Sequence, residues 1–205
     1  MKTVKVISVD LQKAFSRPEG KHFKPRPSVA FVESILVPFL REKNMKVFEI
    51  ISDYRQPRPG HTGDFSRPGE WDYESEIPED IKDTHIWIKC ANSPEWIREG
   101  IGDKEKVPGI PYPDPQKYAE WLQQTIGHPE EENIIVLIGL TLDCCILSTA
   151  QSLDFRGYAV HILSEAVDTY SGDQKEKEYL LNNVPIKNWA TPMTFEELKK
   201  LTELS

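Results

Sequence analysis

Two adjacent cysteines, Cys144 and Cys145, stand where an apolar run ending at Gly139 gives way to a segment with helical spacing. The thiolate is the nucleophilic form of cysteine, and an ordinary thiol with a pKa of about 8.5 is only a few per cent ionised at neutral pH. A helix N-terminus and a nearby ammonium both favour the anion, so a catalytic cysteine here is expected to have a lowered pKa. Two other chemically capable residues also follow apolar runs: Asp10 comes after Val4 to Val9, and Lys89 comes after His85 to Ile88. A carboxylate so placed can take a thiol proton and pass it to a departing amine. A lysine so placed is costly to bury unless it is paired. Each residue also has a plainer reading: the cysteines as small buried hydrophobes, Asp10 as a turn or capping residue, and Lys89 as a surface lysine with its stem laid along apolar neighbours.

The elements that must position these residues alternate along the chain. Apolar, β-branched runs at Val4 to Val9, Val47 to Ile51, His85 to Ile88, Ile134 to Gly139 and Tyr158 to Leu163, with a weaker one at Val184 to Ile186, predict strands. Helical spacing predicts helices over Val29 to Glu42, Pro115 to Ile126, Asp143 to Arg156, Asp173 to Asn182 and Thr194 to about Leu204. In the helix after Asp143, Ile146, Ala150 and Leu153 form the apolar stripe. Nearly continuous apolar strands separated by helices imply a doubly wound, three-layer α/β/α domain with a mostly parallel sheet of about six strands. Ligands of such sheets sit outside the carboxyl ends of the strands, where Asp10, Asp53, Lys89 and the segment from Gly139 to Cys145 all fall.

The chain of 205 residues, 39% hydrophobic and 28% charged, is read as one domain over 1–205. Its net charge of -8 disfavours nucleic acid and anionic membrane surfaces as partners. The opening MKTVKVISVD enters a strand pattern without a long apolar stretch, which gives the expectation of a cytoplasmic protein. Three cysteines, two of them neighbours, argue against a disulfide framework. Two long Pro-rich segments, at about 53–78 and 94–115, are expected to shape a pocket.

The run GLTLDCCILSTA resembles the nucleophile segment of the isochorismatase-like cysteine hydrolases, G-x-x-T-D-x-C-V-x-x-T, with Gly139, Asp143, Cys145 and Thr149 in register. Leu142 stands where that family has threonine, and Thr141 lies one place earlier. VDLQKAF is similar to the family's D-x-Q-x-x-F opening, with Asp10, Gln12 and Phe15 in place, and Lys89 falls at the position of its lysine. The resemblance implies an Asp10–Lys89–Cys145 triad that cleaves an amide or carbamoyl C–N bond of a small molecule through a thioester. It also implies a cis peptide between Leu140 and Thr141, an oxyanion hole from the N–H groups of Thr141 and Cys145, no cofactor, and association into homo-oligomers.

Nicotinamidases within that superfamily hold a metal through an aspartate after the second strand, a histidine two residues on and a later histidine. Asp53, Arg55 and His61 stand here instead, and a guanidinium cannot ligate, so no metal is expected, with Asp53 and His61 the weak candidates. Arg55 is a candidate anchor for a substrate carboxylate, or else the partner of Asp53 or Asp64 in an ordinary salt bridge. Gln12, Phe15, Trp71, Tyr73 and Trp96 are further candidate pocket residues. Two other function classes were weighed. A thiol redox sensor would use Cys144 and Cys145 without turnover. A haloacid-dehalogenase-like phosphatase would need an acid at position 12, where Gln12 stands.

Overall fold

The computed structural model describes residues 3–58, 60–131 and 133–203. Eight strands run in chain order: β1 Val4–Val9, β2 Val47–Ser52, β3 Trp87–Lys89, β4 Trp96–Ile97, β5 Tyr112–Pro113, β6 Ile134–Leu140, β7 Ala159–Asp168 and β8 Thr191–Met193. Six of them form one sheet in the order β3-β2-β1-β6-β7-β8, every pair parallel, while β4 and β5 make a separate antiparallel hairpin. Strand order reverses between β1 and β6, so the crevice of this doubly wound sheet opens beyond the carboxyl ends of those two strands.

Helices cover both faces because the strands are apolar on both. In β1, Val4 and Val6 point into one core and Ile7 and Val9 into the other; in β6, Val136, Ile138 and Leu140 oppose Ile135 and Leu137 in the same way. The first core is closed by a helical run over 27–42 and by helix Phe195–Glu203, through Val29, Val32, Leu36, Leu40 and Leu198. That run contains a π-helical turn, Val32–Leu36, next to Pro38, which has no N–H to continue the regular ladder. The second core takes Tyr118, Trp121 and Leu122 from helix Pro115–Thr125, Ala150 and Leu153 from helix Leu147–Asp154, and Leu181 from helix Gln174–Asn182. Leu204, to which the terminal helix was expected to extend, lies outside the described residues. No helix among the described residues is long and apolar enough to cross a membrane.

The sixth strand is not where the apolar pattern put it. Val184 is exposed, Ile186 opens the short helix Ile186–Trp189, and the edge position is taken by β8, which contains Pro192. A proline lacks the donor needed inside a sheet and is accommodated at an edge, which β8 is.

Gly139 joins β6 to the turn that follows. Its φ is +113°, and a Cβ there would lie 2.1 Å from the Val9 carbonyl oxygen of the neighbouring strand. Gly139→Ala is therefore expected to cost roughly 3 to 5 kcal/mol in urea unfolding. Gly157→Ala, with positive φ but nothing nearer its Cβ than Pro129 at 3.6 Å, is expected to cost about 1 kcal/mol. Equal effects at the two positions would contradict this account of the β1–β6 contact.

Candidate active site

Asp10 is the first residue beyond β1 and takes a left-handed backbone, φ +48°, which aspartate tolerates better than most side chains. Its N–H donates to the Ile50 carbonyl at 2.8 Å, which holds this turn against β2. Gln12 strengthens the same join: its Oε1 accepts from the Ser52 N–H at 2.8 Å, and its Nε2 donates to the carbonyls of Ser52 at 3.0 Å and Tyr73 at 2.9 Å. Gln12 is fully buried, its side chain is bonded to Ser52 and Tyr73, and it does not line the cavity that opens on Cys145.

Lys89, the last residue of β3, has its ammonium at the centre of the arrangement. Nζ donates to Asp10 Oδ2 at 2.7 Å, Ser52 Oγ at 2.8 Å, Tyr54 Oη at 2.9 Å and the Ala91 carbonyl at 3.0 Å, and lies 3.4 Å from Cys145 Sγ. Ser52 Oγ in turn donates to Asp10 Oδ1 at 2.7 Å. Asp10 and Lys89 side chains are both wholly removed from solvent. Burial is the largest single influence and pulls the lysine pKa down, but the charge of Asp10, the acidic groups of Cys145 and Tyr54 and the hydrogen bond to Asp10 together outweigh it and hold Lys89 well above its ordinary value. Lys89 is therefore an ammonium at neutral pH.

Cys145 lies on a π-helical turn, Leu142–Ile146, that precedes helix Leu147–Asp154. The Leu140–Thr141 peptide is cis, and the Thr141 carbonyl accepts from the N–H groups of Cys144 and Ile146, each at 3.1 Å. The Cys145 thiol is 3.4 Å from Tyr54 Oη and 3.7 Å from Asn92 Oδ1. The expectation of a lowered thiol pKa is overturned. Burial, followed by the charge of Asp10, pushes Cys145 up from 9.0 to about 12, and Lys89 offsets only part of this because its charge is already matched by Asp10. Cys145 is a neutral thiol beside an ion pair. Cys90 and Cys144 are also free thiols, and burial raises both.

A cavity of about 220 Å³ opens on the thiol, lined by Phe15, His22, Tyr54, Arg58, His61 and Phe65 on one side and by Asn92, Thr141, Cys144 and Tyr170 around the nucleophile. The other expected pocket residues go elsewhere. Arg55 is buried and forks onto Asp53, Nε to Oδ1 at 2.9 Å and Nη2 to Oδ2 at 2.7 Å, with further bonds to the carbonyls of Lys106 and Gly100, so the salt-bridge alternative is the one realised. Trp71 is 43% exposed beneath Lys13, and neither Tyr73 nor Trp96 lines the cavity. The segment 94–115 contributes no lining residue; its hairpin instead buries Arg98, which donates to Asp53 Oδ1 at 3.1 Å and to the Asp53 carbonyl at 2.8 Å. Gly102 N–H adds a donor at 3.0 Å, and these hydrogen bonds hold the Asp53 pKa below its ordinary value against the opposing effect of burial. A carboxylate so occupied has no lone pair directed at a metal. Among the described residues no group of three or more His, Cys, Asp or Glu side chains is arranged to hold one, and His61 stands apart on the cavity rim.

Ser52, Tyr54 and Asn92 were missed from the sequence, although Ser52 and Tyr54 flank Asp53 at a strand end already marked for inspection. Nothing in residue type alone separates a serine that bridges an ion pair from one that ends a strand.

Residues 119–197 match the family described as Isochorismatase domain, a stretch that holds Cys145 but neither Asp10 nor Lys89. Solved structures are similar over almost the whole chain. An isochorismatase-like hydrolase from Alkaliphilus metalliredigens is 17% identical with a TM-score of 0.66, covering 98% of each chain. The fold is that of the isochorismatase-like hydrolases. An N-carbamoylsarcosine amidase from Thermoplasma acidophilum is 20% identical, TM-score 0.60, covering 95% of this chain and 96% of that one. A pyrazinamidase of Pyrococcus horikoshii, solved with zinc, is 18% identical, TM-score 0.62, covering 93% and 98%. None of the curated proteins matches the chain. The chain shares its fold with those hydrolases, and two guanidinium groups lie against Asp53.

Removing one partner of a buried ion pair leaves the other charge uncompensated. Lys89→Met is expected to lower stability by about 3 to 5 kcal/mol in urea unfolding at neutral pH, and Asp10→Asn added to it is expected to recover part of that loss. A Lys89→Met protein within 1 kcal/mol of the parent would mean the two side chains are not paired in the folded chain.

Proposed function

We propose that the chain is a cysteine hydrolase, one domain over 1–205, that cleaves an amide or carbamoyl C–N bond of a small molecule with Asp10, Lys89 and Cys145. The observation that carries the reading is the buried cluster in which Lys89 Nζ reaches both Asp10 and the Cys145 thiol. In this mechanism Cys145 Sγ attacks the substrate carbonyl while its proton passes to Asp10. Concerted transfer is what a thiol with a pKa near 12 demands, since free thiolate is scarce at neutral pH. The N–H groups of Thr141 and Cys145 receive the developing oxyanion.

Amide nitrogen is a poor leaving group until protonated, so Asp10 returns the proton to it as the C–N bond breaks. Ammonia or an amine departs and a thioester remains on Cys145. Water, losing its proton to Asp10, then attacks the thioester carbonyl; the C–S bond breaks, the acid leaves, and the proton returns to the thiol. Throughout, Lys89 keeps Asp10 in place and balances its charge. Tyr54 Oη, bonded to Lys89 and to Sγ, fixes the thiol at the head of the cavity. No step runs through a metal, because the residues around Asp53 do not fit one. The same reading carries a cytoplasmic, homo-oligomeric protein, which sedimentation checks.

Ammonia release from a panel of amides and carbamoyl compounds tests the activity. Cys145→Ala is expected to abolish turnover, Asp10→Asn to slow it by about 100- to 10,000-fold, and Cys144→Ala to retain most of it. Mass spectrometry of the quenched enzyme should find the acyl group on Cys145. Turnover that survives Cys145→Ala, or an acyl group on Cys144, would overturn the assignment.

A further inference from the structure

We propose that Arg58 is the anchor for a carboxylate on the substrate, so that the compounds hydrolysed are small amides or carbamoyl compounds bearing an acid group, ureido acids among them. The inference rests on the hydrolase reading for its reaction, but its evidence is the state of one cation.

Deeply buried cations elsewhere in the chain are matched. Lys89 faces Asp10, and both Arg55 and Arg98 face Asp53. Arg26 has no carboxylate, but its guanidinium donates to the carbonyls of Thr169, Phe15, His22 and Tyr170. Arg58 has neither the carboxylate that meets Lys89, Arg55 and Arg98 nor the four carbonyls that meet Arg26, and among these cations its unfilled Nε is shared only with Arg98, whose charge Asp53 matches. It is only 9% exposed, no carboxylate among the described residues lies within salt-bridge distance, its Nη2 donates to the Gly63 carbonyl at 3.0 Å, and its Nε is buried with no acceptor. The nearest acid acting on its charge, Asp64, is engaged by Arg67 at 2.7 Å and by the Gln56 N–H. A desolvated guanidinium with an unfilled donor is costly to keep unless something supplies an anion.

Its position says what that something is. Arg58 lines the cavity that opens on Cys145, and its guanidinium carbon sits 4.3 Å from the centre of the Tyr54 ring and 5.1 Å from that of Phe65. The hydroxyl of the same Tyr54 ring is the one bonded to Lys89 and Cys145. One tyrosine therefore spans from the anion site to the reaction centre, which restricts the substrate to a short molecule with an acyl group at one end and a charge at the other. The ring faces offset part of the cost of the buried cation but cannot fill a hydrogen-bond donor. Among the described residues no aspartate or glutamate lines the cavity, and its one permanently charged side chain is Arg58, in a chain whose net charge is -8. The fixed charge in the cavity is thus positive against an acidic background, as a site for an anion should be. A planar, permanently charged fork suits a carboxylate.

The test compares ureido acids with one, two or three methylene groups between urea and carboxylate, each against its uncharged N,N-dimethylamide, which releases no ammonia from its amide end. Calorimetry on Cys145→Ala measures binding, and ammonia release by the intact enzyme measures turnover. At least one acid is expected to bind and react 10- to 100-fold better than its amide, with the difference in KM. Arg58→Met should bring that ratio close to one, and Arg58→Lys should retain part of it. Acids that bind no better than their amides, or a preference that survives Arg58→Met, would overturn the anchor while leaving the hydrolase reading intact. Arg58-dependent binding of an acid that the intact enzyme never cleaves would leave the anchor standing and count against the hydrolase reading instead.

Discussion

Lys89 and Asp10 meet at 2.7 Å in a region with no solvent, and much of the structure around them is explained by what such a pair requires. Two charges taken out of water are tolerated only when close, well aligned and fully hydrogen-bonded. The chain meets that requirement with Ser52 and Tyr54 from beyond or at the end of β2 and with the Ala91 carbonyl from beyond β3. Three neighbouring parallel strands therefore end in register on one ion pair. Gln12, clamped across Ser52, and the left-handed Asp10 backbone are the local devices that bring β1 and β2 to it.

The pair also sets the state of the nucleophile. An isolated ammonium 3.4 Å from a thiol would favour thiolate, but here the same ammonium is already balanced by the Asp10 carboxylate 2.7 Å from it. In the proposed mechanism what the thiol gains is a base. The distinction matters chemically, because a neutral thiol is protected from adventitious alkylation and oxidation and becomes reactive when a carbonyl is positioned to receive it.

A second charge cluster beneath the cavity works differently. Asp53 takes Arg55 from its own loop and Arg98 from the β4–β5 hairpin, tying two long Pro-rich segments together. Five of the six sheet strands were legible in the sequence because apolar runs of β-branched residues have few alternatives, although β7 continues past Leu163 to Asp168, and Asp10 and Lys89 each stood directly after such a run, with Cys145 a short turn beyond another. Loop partners were not. Arg55 and Arg58 are three residues apart in one Pro-rich loop, and sequence gives no sign that the first turns back onto Asp53 while the second faces the cavity. Likewise the sixth strand depended on an edge position that admits Pro192, a tertiary fact, and the thiol pKa depended on how completely Asp10 matches Lys89.

The central claim is that the resting site holds a neutral Cys145 beside a charged Asp10–Lys89 pair. It is tested most directly by titrating the ultraviolet absorbance of thiolate in the parent protein minus Cys145→Ala. The account predicts no difference signal at neutral pH and a rise beginning only above pH 9, towards a midpoint of about 12 or the onset of alkaline unfolding. By linkage, the raised thiol pKa stabilises the fold fully below 9.0 and ceases to do so as pH rises through about 12. A full thiolate signal at neutral pH would contradict the account, and would mean that Lys89 serves the sulfur before it serves Asp10.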